Sequence, residues 1–465
     1  MERQPHALVI PYPAQGHVAP LMKLALQIAS HGVKVTFVNT ESIHAKIKAS
    51  LPENVEEAHL ISLVSLPDGL ELDDDRTDWV KLNDSIHRTM PGYLEDFILK
   101  VNGSNANQKF TCVVADTSVG WALELAKKAG LQAVAVWPAG GPCLALALHL
   151  PQLLEAGIID TEGYKTNLKG TVLKDEAISV SKDVPAWTST EIGWGFPDPV
   201  FQKLLFGFYT IFPQYYKFQD WFLCNSIYEL DSAALQLVPN VFPIGPLLAS
   251  NHLATFAGNL WPQDSTCLQW LDNHASGSVI YVAFGSSTTV DSQQLHELAF
   301  GLELTGQPFL WVIRSDLMND GSLAKLPEGF INRVSNRAKF VEWAPQEKVL
   351  AHPSVACFMS HCGWNSTMEG LTMGVPFLCW PYLADQFCNR NYICDVWRIG
   401  LGLRKDENGV ITRDEISSKI KTLLSSQDIK ANAVHVKEVA QKSLHESGGS
   451  SCRNFNNFIQ HIKSI

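Results

Sequence analysis

Short apolar runs alternate with amphipathic stretches along most of this chain, and the alternation begins twice. Ala7 to Ile10, Val33 to Val38, Cys112 to Asp116 and Ala133 to Val136 have the length and composition of buried strands. Between them, Leu21 to His31 carries Leu21, Leu24, Ala25 and Ile28 at helical spacing, and Trp121 to Ala126 forms a second helix-like segment. A strand that is apolar on both faces needs cover on both faces, and helices returning the chain between strands supply it. This is the pattern of parallel βαβ units. Parallel sheets bind ligands beyond the carboxyl ends of their strands, which is where Asp116 and the Gly16-His17 segment, expected to be a loop, fall.

The rhythm stops near Pro239 to Pro246, passes through an Ala/Asn/Gly-containing stretch to about Asp264, and starts afresh. Ser278 to Phe284, Phe309 to Ile313, Lys339 to Val341, Ala356 to Met359 and Pro376 to Cys379 continue as strands, and Gln293 to Leu304 as a helix. A single core stops growing near roughly 250–300 residues. At 465 residues the chain is therefore expected to be α/β with two Rossmann-like parallel-sheet domains. The expected boundaries are 1–245, a linker at 246–264, 265–447, and a final helix at 448–465. That helix, with Phe455, Phe458, Ile459 and Ile462 at helical spacing, needs a surface to dock on. The stretch from Thr166 to Tyr216 is aromatic-rich, and its Pro and Gly content argues against one long helix. Two readings stay open for it: a loop-rich apolar wall for a flat ligand, or a covering layer of core helices.

Composition removes several classes. Thirty-six Lys and Arg against 47 Asp and Glu leave a net charge of −11, with no long basic run, so nucleic acid and anionic membranes are poor partners. Met1-Glu2-Arg3-Gln4-Pro5-His6 leads into only four apolar residues before Pro11, short of the roughly 7–15 of a signal-peptide core. No run approaches the roughly 18 apolar residues of a membrane span. Ten cysteines without a Cys-x-x-Cys pair suggest reduced thiols, and a cytoplasmic, monomeric protein is expected. His361-Cys362 and the Cys388 to Cys394 stretch lack zinc-ligand spacing, so no metal site is assigned.

The densest chemical signal lies between Trp343 and Gln386. Ser360 to Thr367 (SHCGWNST) sits between a short strand and a helical segment, and a helix start offers backbone N–H groups and a positive dipole end to a diphosphate. Gly363 permits close backbone approach, while Asn365 and Ser366 add side-chain bonds or capping. Trp343 at a strand end can stack a nucleobase, with Ala344 offering backbone groups to its edge. Asp385-Gln386 places an acceptor beside an amide, which suits sugar hydroxyls. In the first half, His17 can take a proton, and Asp116 could bond its distal ring nitrogen and fix its tautomer.

Trp343 to Gln386 spans 44 residues and carries WAPQ, HCGWNS, Glu369 and Asp385-Gln386 in order. With Pro11 to His17 and the Phe284-Gly285-Ser286 turn, it resembles the signature of plant UDP-dependent glycosyltransferases of family 1, inverting enzymes of GT-B fold whose two domains face across a cleft. The likeness covers the full length. Tyr12 to His17, Leu66 to Leu70 and Tyr392 to Trp397 suggest a particular branch more loosely.

The resemblance implies that Trp343 stacks on uracil, Ala344 bonds its edge, and Gln346 and Glu369 approach the ribose. It further implies that His361, Gly363, Asn365 and Ser366, with Ser286, hold the diphosphate, and that Trp364, Asp385 and Gln386 hold the sugar. Gln at position 386 goes with glucose in such enzymes. His17 and Asp116 would be the catalytic pair for in-line attack that inverts α to β. The diphosphate charge would be met by the helix start and His361, with no metal or other cofactor. The terminal helix would pack back on the N-terminal domain.

The expected activity is thus UDP-glucose-dependent O-glucosylation of a small lipophilic plant metabolite, a flavonoid or other phenolic, with a terpenoid or steroid-type aglycone as the alternative. Acceptor-lining segments are expected near Val18, around Met90, at Pro138 to Leu144 and from Trp187 to Phe212. A nicotinamide-dependent oxidoreductase is disfavoured because neither first-strand loop carries Gly-x-Gly-x-x-Gly. A non-catalytic nucleotide-sugar binder would have no need of His17 and Asp116.

Overall fold

The computed structural model describes residues 4–50, 61–104, 108–166, 176–249, 258–314 and 326–465. Met1 to Arg3, part of the aromatic stretch (167–175) and the middle of the expected linker (250–257) lie outside the described residues. The chain divides into two compact units, Met1–Trp261 with Ser443–Ile465, and Pro262–Lys442.

The first unit runs β1 (His6–Ile10), α1 (Gln15–Ser30), β2 (Lys34–Thr40), α2 (Glu41–Ser50), β3 (Ile61–Leu66), α3 (Trp79–Ser104), β4 (Cys112–Asp116), α4 (Trp121–Lys128) and β5 (Gln132–Trp137). It continues through α5 (Gly141–Glu155), α6 (Pro199–Tyr215), β6 (Trp221–Cys224), α7 (Tyr228–Leu235) and β7 (Val241–Pro243). Its sheet order is β3-β2-β1-β4-β5-β6-β7, parallel throughout. β1 and β4 are buried at every residue, as covered parallel strands must be. The chain winds from β1 outward to β3 and then returns to place β4 on the other flank of β1. The strand order therefore reverses between β1 and β4, and the ends of those two strands form a switch-point crevice.

The second unit runs α8 (Thr266–Asp272), β8 (Val279–Ala283), α9 (Ser292–Thr305), β9 (Phe309–Val312), α10 (Phe330–Val334), β10 (Ala338–Val341), α11 (Gln346–Leu350), β11 (Val355–Ser360) and α12 (Trp364–Met373). Then follow β12 (Phe377–Cys379), α13 (Gln386–Asn391), a π-helical turn (Tyr392–Val396), β13 (Gly400–Gly402), α14 (Arg413–Ser425) and α15 (Gln427–Ser443). The sheet order β10-β9-β8-β11-β12-β13 repeats the same winding, with its switch point between β8 and β11. A last helix, α16 (Ser450–Lys463), belongs to the first unit. Its Phe458, Ile459 and Ile462 are buried in the core that β1, α1 and β4 share, and its Asn454 amide donates to the Pro243 carbonyl at 2.8 Å.

Three local expectations change. α1 begins at Gln15, not Leu21, so His17 stands in the first helical turn and not in a loop. The aromatic stretch contains a 17-residue helix, α6, in spite of its prolines. Pro199 lies in the first turn, where its missing N–H has no partner to lose, Asp198 caps that end by accepting from Phe201 N at 2.8 Å, and Pro213 falls in the last turn. Trp187, Trp194, Phe206, Tyr209 and Phe212 are buried, the covering layer rather than an open wall. Finally, Leu247 and Leu260 of the expected linker are buried in the first unit's core, and Leu260 N donates to Gln15 Oε1 at 2.9 Å.

Candidate active site

The switch point of the first sheet brings His17 and Asp116 together from 99 residues apart. β1 and β4 are paired in register up to Ile10 and Ala115, so the start of α1 and the end of β4 are neighbours. The Asp116 carboxylate is fully buried and accepts from His17 Nδ1 at 2.7 Å, while the imidazole is 30% exposed. The other carboxylate oxygen of Asp116 accepts from Ser118 N at 2.8 Å, which fixes its rotamer. With Nδ1 held as the donor, Nε2 is the basic nitrogen of the ring. Tyr12 packs edge-on against the His17 ring at 5.3 Å, and Phe208 packs edge-on against Tyr12 at 5.2 Å. Of the expected acceptor-lining residues, Val18, Met90 and Leu144 are buried, and Phe208 packs on Tyr12, which in turn packs on His17.

The second sheet's switch point collects the residues expected around a diphosphate. Ser360 at the end of β11 pairs in register with Ala283 at the end of β8, so His361 and the Gly285-Ser286 turn are adjacent. Gly285 has φ +71°, and a Cβ there would lie 2.5 Å from His361 Nε2; a Cβ on Gly363 would collide with the same nitrogen. The imidazole is therefore clamped between two glycines, which only residues without a side chain allow. Cys362 between them adopts φ +64°, a conformation that costs a non-glycine residue of order 1–3 kcal/mol and is held by its surroundings. Its N–H donates to Ser360 Oγ at 3.1 Å and its carbonyl accepts from Asn389 Nδ2 at 2.8 Å. α12 then begins with Gly363 at its N-cap and no side-chain cap, and of the expected side-chain bonds Ser366 makes one, accepting from Gln346 Nε2. A cap there would occupy the donors that an anion needs.

Burial pushes the His361 imidazole down to about 4, with the Arg314 charge as a second cause. It is neutral at physiological pH, so the part expected of it at the diphosphate falls to hydrogen bonding and not to charge. What it can offer is a hydrogen bond, and its Nδ1 is buried with no partner among the described residues.

The remaining signature residues form two hydrogen-bonded groups. Gln346 Nε2 donates to Ser366 Oγ and to Glu369 Oε2, both at 2.8 Å, and Gln346 Oε1 accepts from Tyr281 OH at 3.1 Å. Its amide thus orients Ser366 and Glu369. Trp343, half-buried after β10, and the buried Ala344 stand directly before it in the chain. In the other group, Gln386 Oε1 accepts from Tyr382 N at 2.8 Å and Leu383 N at 3.0 Å, while Asp385 Oδ2 accepts from Asn389 Nδ2 at 2.9 Å. Gln386 therefore shapes the loop with its oxygen and has its amide nitrogen to offer a sugar hydroxyl. Trp364 is buried and lies 6.3 Å from Trp397.

Three residues here escaped the sequence reasoning. Asn389 bridges Cys362 and Asp385, Arg314 just after β9 donates to the Gly285 carbonyl at 2.6 Å, and Thr288 carries a buried hydroxyl without a partner among the described residues. Only Thr288 had a local signal, its place in the polar run after Gly285.

Both halves thus carry their polar constellations at switch points of parallel sheets, one built around a base and one around an uncapped helix start, which is the layout of a nucleotide-sugar-dependent transferase. Residues 6–444 match the family described as UDP-glucoronosyl and UDP-glucosyl transferase, and the chain belongs to that family. It is 42% identical to "UDP-glycosyltransferase 83A1" of Arabidopsis thaliana, over 99% of this chain and 97% of that protein. Among solved structures it resembles a UDP-glucose:anthocyanidin 3-O-glucosyltransferase in complex with UDP, at 26% identity, TM-score 0.80 and full coverage of both chains. It also resembles a Polygonum tinctorium UDP-glucosyltransferase capable of glucosylating indoxyl, at 26% identity, TM-score 0.81 and 99% coverage of both. The protein is a UDP-glycosyltransferase with the GT-B fold.

Proposed function

We propose that this enzyme transfers glucose from UDP-glucose to a hydroxyl of a small aromatic acceptor, with inversion at the anomeric carbon. The observation that carries this is the His17–Asp116 bond of 2.7 Å between a fully buried carboxylate and a partly exposed imidazole. His17 Nε2 takes the proton of the acceptor hydroxyl as the oxygen attacks C1 of glucose. The C1–O bond to the diphosphate breaks, UDP leaves with the electron pair, and the α-linkage becomes β. Asp116 holds the tautomer and stabilises the imidazolium that forms.

Trp343 and Ala344 seat the uracil, and Glu369, oriented by Gln346, takes the ribose hydroxyls. The start of α12, neutral His361 and Ser286 receive the diphosphate, and Trp364, Asp385 and Gln386 hold the hexose. No metal takes part in this scheme. Free thiols at all ten cysteines support a reducing, cytoplasmic setting, and no helix of the described residues is long and apolar enough to cross a membrane.

Glucose is favoured by Gln386 and by the glucosyl donors named for the two solved relatives; their acceptors, an anthocyanidin and indoxyl, are flat and aromatic. The aromatic pair Tyr12 and Phe208 beside His17 suits such a ring. The test is a panel of phenolic and terpenoid alcohols with competing UDP-glucose and UDP-galactose, with and without chelator. A β-glucoside of a phenol as main product, formed at a chelator-independent rate, is expected. A galactoside, an α-linkage or a chelator-sensitive rate would contradict the corresponding part.

A further inference from the structure

The His361 clamp raises a question of charge. A departing UDP carries negative charge on its diphosphate, yet the imidazole at the seat is neutral. Helix-start N–H groups offer partial positive charge only. A full positive charge stands one residue layer behind. Arg314 follows β9, whose sheet neighbour β8 leads into Gly285-Ser286, and β8 in turn neighbours β11, which leads into His361. Three adjacent strand ends therefore deliver Arg314, Gly285 and His361 side by side.

The Arg314 side chain is buried, with the residue only 5% exposed, and its Nη1 donates to the Gly285 carbonyl at 2.6 Å. That carbonyl belongs to the glycine whose φ of +71° brings the turn against the imidazole. The guanidinium charge also reaches His361, where it is one of the two causes that keep the ring neutral. Burying a guanidinium is expensive, and an apolar side chain could fill the end of a strand without that cost.

We propose that Arg314 is a positioning residue for the donor diphosphate, bracing the Gly285-Ser286 turn through its carbonyl and supplying the fixed positive charge behind the seat. The inference rests on the UDP-sugar reading of this unit. Its consequence is a division of labour: Arg314 provides the charge, and His361, kept from becoming a competing cation, provides a hydrogen bond. Placing the charge behind the turn leaves the diphosphate in contact with neutral donors.

Titration calorimetry with UDP and with uridine, on wild type and Arg314→Met, reads this directly, because only UDP presents the diphosphate. UDP affinity should fall about 10- to 100-fold, the order expected of one fixed charge acting through a residue layer in a partly buried site, while uridine affinity changes less than about twofold. Arg314→Lys, which retains the charge, should recover most of the loss. Should Arg314→Met fail to fold, Arg314→Gln keeps a donor for the Gly285 carbonyl without the charge, and the same selective loss of UDP is expected. Equal losses for UDP and uridine, or full UDP affinity in the uncharged variants, would overturn the role of Arg314 alone. A wild-type protein that bound no UDP would overturn the functional reading and this inference together.

Discussion

At the scale of residues, what matters is which atom each side chain commits to its neighbours. Asp116 uses one oxygen on Ser118 N and the other on His17 Nδ1, so removing the carboxylate frees the imidazole to rotate and to take the wrong tautomer. Asp116→Ala should lower turnover about 10²- to 10⁴-fold, the usual worth of general acid–base help, with UDP-glucose affinity unchanged by calorimetry. An unaltered rate would remove Asp116 from the mechanism. These two residues were legible because strand-end positions in a parallel sheet are functional places, and the signature named the rest. The roles within the signature were less legible. That Gln346 orients Ser366 and Glu369, or that Gln386 turns its oxygen to Tyr382 N and Leu383 N, depends on three-dimensional neighbours. The charge state of His361 depends on burial and on Arg314, 47 residues away in sequence, and spacing encodes neither.

At the scale of elements, most strands were legible as apolar runs, but β3 and β6 were not named, and β7 and β13 have runs too short or interrupted to read. β7 is Val-Phe-Pro and β13 is Gly-Leu-Gly, sequences that become strands only because β6 and β12 offer them a parallel edge. α3 was passed over, although Leu82, Ile86, Met90, Leu94 and Ile98 recur every four residues and are all buried; Pro91 within it obscured the period. α16 tests the worth of a single element. Phe458 is fully buried, packs 5.7 Å from Trp221, and joins the core of β1 and β4. Phe458→Ala should cost about 3–5 kcal/mol, as for other buried Phe truncations, and show as a clear drop in thermal or denaturant midpoint. A midpoint unchanged by that substitution, or by truncation at Gly448, would mean that α16 is not part of this core.

At the scale of the whole molecule, each unit repeats one device, a doubly wound parallel sheet whose switch point presents side chains at strand ends. Two such units were legible from the restart of the βα rhythm near Ser278, whereas the chain's return through α16 to the first unit came from the family likeness. Whole-chain titration gives a further prediction. Burial holds His6 and His361 down to about 4, and His44 and His87 below their ordinary value, while buried Asp231 is pushed up to about 6. Between about pH 6.5 and 4 the unfolded chain protonates His6 and His361 and the folded one does not, and His44 and His87 act in the same sense. The single acid acts in the opposite sense and is outnumbered, so stability should fall as pH is lowered through that window. Denaturant midpoints at pH 7 and pH 5 check this, and a higher midpoint at pH 5 would contradict it.

The central claim is that the base sits on the first unit and the donor seat on the second, so that transfer can be lost while donor binding is kept. UDP release from UDP-glucose and a phenolic acceptor, measured for wild type and His17→Ala alongside calorimetric UDP-glucose affinity, tests it most directly. The wild type should release UDP, and the variant should release it at least about 10²-fold more slowly while binding UDP-glucose equally well. Equal rates of UDP release from the two proteins would contradict it.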